Sequence, residues 1–350
     1  MDIEERLQLV AQEPTEEIVT KDELRDLFLN SSSPKHYIGL EVSGLLHLGS
    51  LVLTGFKIND FIRAGVNCTV FLADWHTYIN DKLERDWDKI RQISDYYSEA
   101  FRFFCPGVNI VLGSNLYREK GYEYWNDLIL FSKHLTLART VRSITIMGRS
   151  EQDRLDFSQL LYPAMQSIDI KALESEIAHA GMDQRKIHML SRDIFPKLGW
   201  RKPIAVHHHL LPRLTEPNSL EFSRISSPGE KVASKMSKSK PESGILIHDD
   251  PDLIKRKIEM AYCPVGAVKY NPLLELTRYV IFHEFSEFVV ERASRYGGTM
   301  SYNNYARLES DFQNRVIHPA DLKQAVSLYL DRIIGPIRRH FKGREPNLRN

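Results

Sequence analysis

The chain reads as an α/β protein: a doubly wound parallel sheet of five strands, interrupted by a helical insertion and followed by a mainly helical C-terminal domain. Three observations predict this. Short β-branched and apolar runs of strand length alternate with longer segments of helical character. The order strand, helix, strand, helix, strand implies a parallel sheet with right-handed crossovers. At 350 residues, 42% of them hydrophobic, the chain is long enough to fill the cores of two domains.

Residues 1–33 are expected to form a helical lead-in, with Thr20 as N-cap of KDELRDLFLN and Glu23 three residues later completing a capping box. HYIGLEV (36–42), CTVFLAD (68–74) and VNIVLGS (108–114) read as buried strands, separated by helical segments such as LERDWDKIRQISDYYSEAFRFF. Residues from about 121 to 173 read as a mainly helical insertion, after which IAHAGMD and PIAVHHHLL supply two further strands around the helix QRKIHMLSRDIFPKL. The core domain is thus expected over 34–230, with its ligands at the carboxyl ends of the strands. From Thr215 to Gly244 the chain is polar and rich in Pro, Gly, Ser and Lys, and is expected to be a mobile functional loop, its last part, 231–244, set apart from the core domain. The remainder, 245–350, begins with DPDLIKRKIEMAY and reads as a smaller helical domain.

Composition excludes several classes of protein. The N-terminal MDIEERLQLVAQEPTEE is acidic and lacks a basic-then-apolar pattern, and no apolar run reaches bilayer length, so neither export nor membrane insertion is expected. Cys68, Cys105 and Cys263 are far apart and odd in number, which suggests neither a disulfide framework nor a zinc ribbon and fits a reducing cytoplasm. Lys plus Arg (47) nearly equals Asp plus Glu (46), so any nucleic-acid contact must come from local clusters. Successive side chains of His207, His208 and His209 alternate faces on a strand, which argues against a metal site and for an ordinary strand end at the nucleotide cleft.

Two motifs carry chemistry. In YIGLEVSGLLHLGSLVLTGF a strand ends near Val42, turns through Gly44 and enters a helix around Gly49, aiming backbone N–H groups and the helix dipole at an anion with His47 beside it. H-x-G alone also describes an ordinary strand-to-helix turn. The second motif, Lys235-Met236-Ser237-Lys238-Ser239, places two ammonium groups and two hydroxyls on the polar loop, suited to clamping a polyphosphate. By itself it also describes a solvated basic loop.

Together the two motifs resemble those of class I aminoacyl-tRNA synthetases: His47-Leu48-Gly49-Ser50 is similar to the HIGH signature, and residues 235–239 match KMSKS in full. The resemblance is to tyrosyl-tRNA synthetases of the archaeal and eukaryotic type. It runs from about residue 18 to 340 through VFLADWHTYIN, LLYPAMQSIDI, GMDQRKIHML, AYCP and HPADLKQAV. It implies a Rossmann-like catalytic core, a helical anticodon-binding domain, and a homodimer joined through the insertion. The implied activity is ATP- and Mg²⁺-dependent activation of tyrosine followed by transfer to tyrosine tRNA, with no DNA or membrane partner. Tryptophanyl-tRNA synthetase and a non-catalytic RNA-binding paralogue are the rival readings.

Tyr162, Gln166 and Asp169 fall at i, i+4 and i+7, one face of a helix, and a buried carboxylate there must be paired or serve a ligand. The resemblance assigns Tyr37 and Asp169 to the substrate phenol, Tyr162, Gln166 and Gln184 to its α-amino group, and Asp74 and His76 to the same cleft. It assigns His47, Gly49, Ser50 and Lys235 to Ser239 to ATP, with His47, Lys235 and Lys238 catalytic. For tRNA it implies that Arg142, Arg185 and Lys186 contact the first base pair, that Tyr296 stacks on the first anticodon base, and that His318 and Asp321 hydrogen-bond it. The bland readings are salt-bridged surface cations, a turn tyrosine and a helix start at His-Pro-Ala-Asp. The chain departs from the family's pattern at Ser50, at Glu41-Val42-Ser43-Gly44 where relatives often read EPSG, and in a longer segment before the KMSKS loop.

Overall fold

The computed structural model describes residues 1–149, 153–216, 236 and 243–346. The chain divides into two compact units, Met1–Gly44 with Lys57–His209, and Leu45–Phe56 with the described part of Leu210–Asn350.

The first unit is built on a mixed sheet of six strands in the order β1-β6-β5-β2-β3-β4. The five expected strands are present as β2 (Lys35–Leu40), β3 (Asn67–Leu72), β4 (Asn109–Leu112), β5 (Ile177–Gly181) and β6 (Ile204–His208), all mutually parallel. The sixth corrects the reading of residues 1–33 as purely helical. β1 (Thr15–Val19) lies between helices α1 (Ile3–Ala11) and α2 (Lys21–Asn30) and pairs antiparallel with β6. Its sequence, TEEIV, has weak strand propensity. Partners distant in sequence hold it: His207 Nδ1 bonds Glu17 Oε2 at 2.8 Å, and His209 Nδ1 bonds Glu16. The start of α2 is as expected, with Thr20 Oγ1 accepting from Glu23 N and the Glu23 carboxylate accepting from Thr20 N, both at 3.2 Å.

Helices α3 (Thr54–Arg63), α4 (Asp74–Ile79), α5 (Trp87–Phe104) and α6 (Gly113–Lys120) follow the first strands. The insertion contributes α7 (Tyr122–Ser132), α8 (Leu137–Ser143) and α9 (Tyr162–Ala172), and α10 (Arg185–Ile194) joins β5 to β6. Of these, α9 is buried on nearly every side, running through a core of Tyr37, Phe71, Tyr117, Tyr124, Leu128 and Ile187. A helix so enclosed presents its few polar side chains to the interior, where each requires a partner or a ligand.

The histidine run is tied into the sheet. His208 Nδ1 lies 2.7 Å from His179 Nε2, whose Nδ1 is 3.1 Å from His36 Nε2, and His207 Nε2 lies 3.0 Å from His188 Nδ1. These rings cross three adjacent strands as a buried, hydrogen-bonded row.

In the second unit the segment 45–56 lies against 245–247, with Leu48 N donating to Ile245 O at 3.0 Å and Ile247 N to Leu46 O at 3.1 Å. The C-terminal part is mainly helical, as expected, with Pro251–Met260, Tyr305–Gln313 and Pro319–Phe341 the longest helices among its described residues. It also carries a short antiparallel pair, β7 (Phe288–Val290) with β8 (Met300–Tyr302).

Candidate active site

Strand β2 brings Tyr37 beside Ala178 of β5 and Thr69 of β3, near the centre of the sheet. Its ring is buried and folds back along its own strand over Gly39, two residues on and on the same face. A methyl group at Gly39 would sit 2.9 Å from Tyr37 Cζ and closer still to the hydroxyl, so glycine is what lets the ring lie there. Burial, and the nearby Asp169 carboxylate, raise the Tyr37 pKa well above 10, keeping its phenol protonated.

Asp169, on α9, is fully buried. Its Oδ1 accepts from Tyr117 Oη at 3.0 Å and from Tyr124 Oη at 2.8 Å. Its Oδ2 has no hydrogen-bond partner among the described residues, and neither do the two ring nitrogens of His76, although His76 Nε2 is only 3.6 Å from Asp169 Oδ2. Unsatisfied buried polar atoms are costly, so facing orphans of this kind mark a place built for a polar ligand group. Burial raises the Asp169 pKa well above 3.8, against the two phenolic hydrogen bonds that lower it. Burial also lowers the His76 pKa to about 3, so that imidazole is neutral.

Tyr162 begins α9 and meets the His76 ring edge-on, with centroids 4.4 Å apart. One turn on, Gln166 Nε2 donates to Gln184 Oε1 at 3.2 Å, Gln184 Nε2 donates to Ile146 O at 3.1 Å, and Gln166 Oε1 has no partner among the described residues. The structure therefore brings Tyr37, His76, Tyr162, Gln166, Asp169 and Gln184 into one neighbourhood. Asp74 is employed differently. Its carboxylate accepts from Trp75 N at 2.8 Å and Ser114 N at 3.0 Å, pinning the turn where β4 enters α6. Sequence reasoning missed Tyr117 and Tyr124, which lie in helices where aromatic residues read as ordinary core. The i, i+2 relation of Tyr37 and Gly39 was visible in the YIG triplet.

In the second unit the HLGS turn is closed upon itself. His47 Nδ1 accepts from Gly49 N at 3.1 Å and from Ser50 N at 3.3 Å, capping a π-helical stretch, Leu48–Leu53, that runs on into α3. Ser50 Oγ accepts from His47 N at 2.9 Å, completing the box. A neutral imidazole that accepts at Nδ1 carries its proton on Nε2. The glycine is required by closeness, since a methyl group at Gly49 would lie 3.1 Å from His47 Cε1. Met236 is buried, its N donating to Leu211 O at 2.9 Å and its sulfur filling the space above Gly244. Lys235, Ser237, Lys238 and Ser239 lie outside the described residues, as does most of the expected mobile loop.

Of the residues expected at tRNA, Arg142 is exposed on α8, and Lys186 Nζ donates to Thr145 Oγ1 at 3.0 Å. Arg185 makes a two-pronged pair with Glu17, Nε to Oε2 and Nη2 to Oε1, both at 2.8 Å. Burial opposes ionisation of Glu17, but the bonds from Arg185 and His207 outweigh it and lower the pKa. His318 caps the helix Pro319–Phe341 through Nδ1, which accepts from Ala320 N at 3.2 Å, and Asp321 sits in the first turn. Tyr296 is exposed, with Arg295 over its ring at 4.8 Å.

Comparison with known proteins gives a consistent result. The family model described as tRNA synthetases class I (W and Y) matches residues 30–334. A tyrosine–tRNA ligase of Thermococcus sibiricus is 44% identical over 366 residues, covering 98% of this chain and 96% of that one. Among solved structures, tyrosyl-tRNA synthetase of Pyrococcus horikoshii complexed with L-tyrosine superposes with a TM-score of 0.90 at 43% identity, covering 98% of this chain and 97% of that one. The corresponding L-tyrosine complex from Archaeoglobus fulgidus gives 0.85 at 35% identity, covering 97% and 99%.

Proposed function

The chain belongs to the class I tRNA synthetases of the tryptophan and tyrosine group and acts as a tyrosine–tRNA ligase, and we propose that Asp169 and Tyr37 select its amino acid by the phenolic hydroxyl. The observation that carries this reading is the buried, unpartnered Oδ2 of Asp169 opposite His76 Nε2. A phenol O–H donates to that oxygen, whereas a phenylalanine ring leaves it buried and unsatisfied. Tryptophan, the rival substrate, would offer its ring N–H to the carboxylate but no acceptor to the Tyr37 hydroxyl. The substrate ammonium group is held by Tyr162, Gln166 and Gln184, the unpartnered Gln166 Oε1 being a natural acceptor.

The reaction uses ATP. The tyrosine carboxylate attacks the α-phosphorus in line and pyrophosphate leaves, forming tyrosyl-adenylate. A hydroxyl of the terminal tRNA adenosine then attacks the carbonyl, and AMP leaves. No covalent bond to the enzyme is needed. His47 donates from Nε2 to the phosphates, the turn at Gly49 and Ser50, whose amides are held by His47 Nδ1 and not aimed at an anion, lies beside the nucleotide, and Lys235 and Lys238 neutralise the charge that develops on the departing phosphates. Met236, Ser237 and Ser239 complete the KMSKS contribution to ATP binding. Mg²⁺ would enter with ATP as part of the substrate and would supply electrostatic stabilisation of the charge that develops on the phosphates.

Residues 245–350 act as the anticodon-binding domain, with Tyr296, His318 and Asp321 at the first anticodon base, and Arg142 and Lys186 reach the acceptor end. Arg185 joins them by the guanidinium edge not engaged with Glu17. The enzyme works as a homodimer: Tyr122, Trp125 and Ile129 of α7 are exposed, and such an apolar helix face is suited to a second copy. It works in the cytoplasm, where the substrates are and where three free cysteines persist; no described helix is long and apolar enough to cross a membrane. The test of the whole reading is ATP–pyrophosphate exchange with each of the twenty amino acids: only tyrosine should support it. Comparable exchange with phenylalanine or tryptophan would overturn the phenol assignment, and none with any amino acid would favour a non-catalytic paralogue.

A further inference from the structure

We propose that Tyr117 and Tyr124 are positioning residues that set the preference for tyrosine over phenylalanine without touching the substrate. The inference rests on the reading of Asp169 as acceptor of the substrate phenol.

Both hydroxyls donate to the same carboxylate oxygen, Oδ1, at 3.0 Å from Tyr117 and 2.8 Å from Tyr124. The two rings are buried and lie against each other, with centroids 4.4 Å apart, so neither hydroxyl swings away freely. They come from different elements, α6 and α7, and converge on a third, α9. A carboxylate has a two-fold terminal torsion, and either oxygen can face a ligand unless something distinguishes them. Here one oxygen holds two donors, and the other faces the orphaned His76 Nε2 at 3.6 Å.

The pair also governs charge. Phenols buried this deeply keep their protons, because burial raises their pKa values well above 10, and so they can only stabilise the ionised form of Asp169. Burial alone pushes the Asp169 carboxyl towards its neutral form, and the bonds from Tyr124 and Tyr117 oppose it. A neutral Asp169 would carry a proton of its own and distinguish a phenol from a bare ring poorly. The two tyrosines thus fix the direction of the acceptor and oppose the push of burial towards its neutral form.

The experiment is tyrosine- and phenylalanine-dependent pyrophosphate exchange by the full chain carrying Tyr117→Phe, Tyr124→Phe or both, across pH 5.5–9. Hydrogen bonds to an ionised group are among the strong ones, so each single variant should lower kcat/KM for tyrosine roughly 10-fold, through KM, and the pair by roughly 100-fold. Phenylalanine exchange should be unchanged, narrowing the discrimination by the same factors. The acid limb of the tyrosine profile should move to higher pH, because removing donors that favour the carboxylate raises its pKa. A packing role would lower the melting temperature and leave discrimination and pH profile as in wild type. That result would overturn the proposal, and the single variants decide it if the double variant does not fold. Asp169→Asn separates the two levels: a variant that still prefers tyrosine as strongly as wild type removes the pocket assignment, whereas loss of preference in Asp169→Asn together with full preference in the Tyr→Phe variants removes only the positioning role.

Discussion

Acidification should unfold this protein from within, through the row of histidines buried in the sheet. His36, His179 and His208 are joined ring to ring across β2, β5 and β6, and His188 is joined to His207. Burial lowers the pKa of His36 to about 3 and of His208 to about 4, and takes His179 and His188 well below 6.5. The groups that face the row are Lys57 and the other imidazoles, which also disfavour charge, and Asp183, which favours it at His208 and is outweighed. Between the unfolded value near 6.5 and these folded values the unfolded chain binds more protons, so stability rises with pH there. It is fully present above about pH 6.5 and is lost as pH falls towards about 4. From pH 7.5 to 5, a histidine at 6.5 when unfolded and at 4 or below when folded loses about 2 kcal/mol of stabilisation, so His36 and His208 alone account for about 4 kcal/mol. That is a large share of the roughly 5–15 kcal/mol by which domains are stable. Urea unfolding followed by tryptophan fluorescence at constant ionic strength should show this fall. His208→Asn, whose amide can pair with His179 as acceptor or donor, should reduce it by about 2 kcal/mol. A stability changing by less than about 1 kcal/mol over this interval would refute the reasoning, since it would mean the buried row accepts protons as readily as free histidine.

Gly39→Ala should displace the Tyr37 hydroxyl and weaken tyrosine activation by roughly 5- to 150-fold, the equivalent of about 1–3 kcal/mol of overpacking, with little effect once Tyr37 is itself Leu; equal losses in both backgrounds would show that the glycine serves the strand and not the ring. Lys235→Ala should slow adenylate formation by about 2.7–4 kcal/mol in barrier with tyrosine affinity retained, and stopped-flow rates equal to wild type would remove the KMSKS lysine from the chemistry. Asp321→Ala should leave pyrophosphate exchange intact while lowering kcat/KM for tRNA by roughly one to two orders of magnitude. Charging of a tRNA altered only at the first anticodon base decides this case: undiminished discrimination would leave Asp321 as a helix-start residue.

The five parallel strands were legible because HYIGLEV, CTVFLAD and their like are dense in β-branched and apolar residues that only a doubly covered sheet can bury. TEEIV was not legible as a strand. Its two glutamates argue against one locally, and the histidines that pair with them lie about 190 residues further on. On the site side, the i, i+4, i+7 spacing of Tyr162, Gln166 and Asp169 showed a polar face on an apolar helix, and the buried α9 carries all three. The back of the pocket stayed hidden for a different reason: Tyr117 and Tyr124 acquire their meaning only when three helices converge, and no spacing along one helix records that. Ser50 read only as a departure from the HIGH pattern, yet its hydroxyl closes the helix cap on His47, a role a sequence motif does not display.

That cap divides the labour of one imidazole. A helix start is usually closed by a side chain such as Asp, Ser or Thr that spends its only polar end on the backbone. Here the ring has two ends: Nδ1 holds the amides of Gly49 and Ser50, and Nε2 is the end we propose for the phosphates. Alanine at position 47 would erase both at once, so a damaged turn and a missing phosphate donor would look alike in the kinetics. The amides have geometry that tells them apart. Asparagine offers an oxygen close to where Nδ1 stands and keeps the turn closed, whereas glutamine reaches towards the position of Nε2. The pair Asn and Gln therefore dissects the histidine nitrogen by nitrogen, and the architecture of this turn and its proposed part in catalysis become separately measurable properties of a single residue.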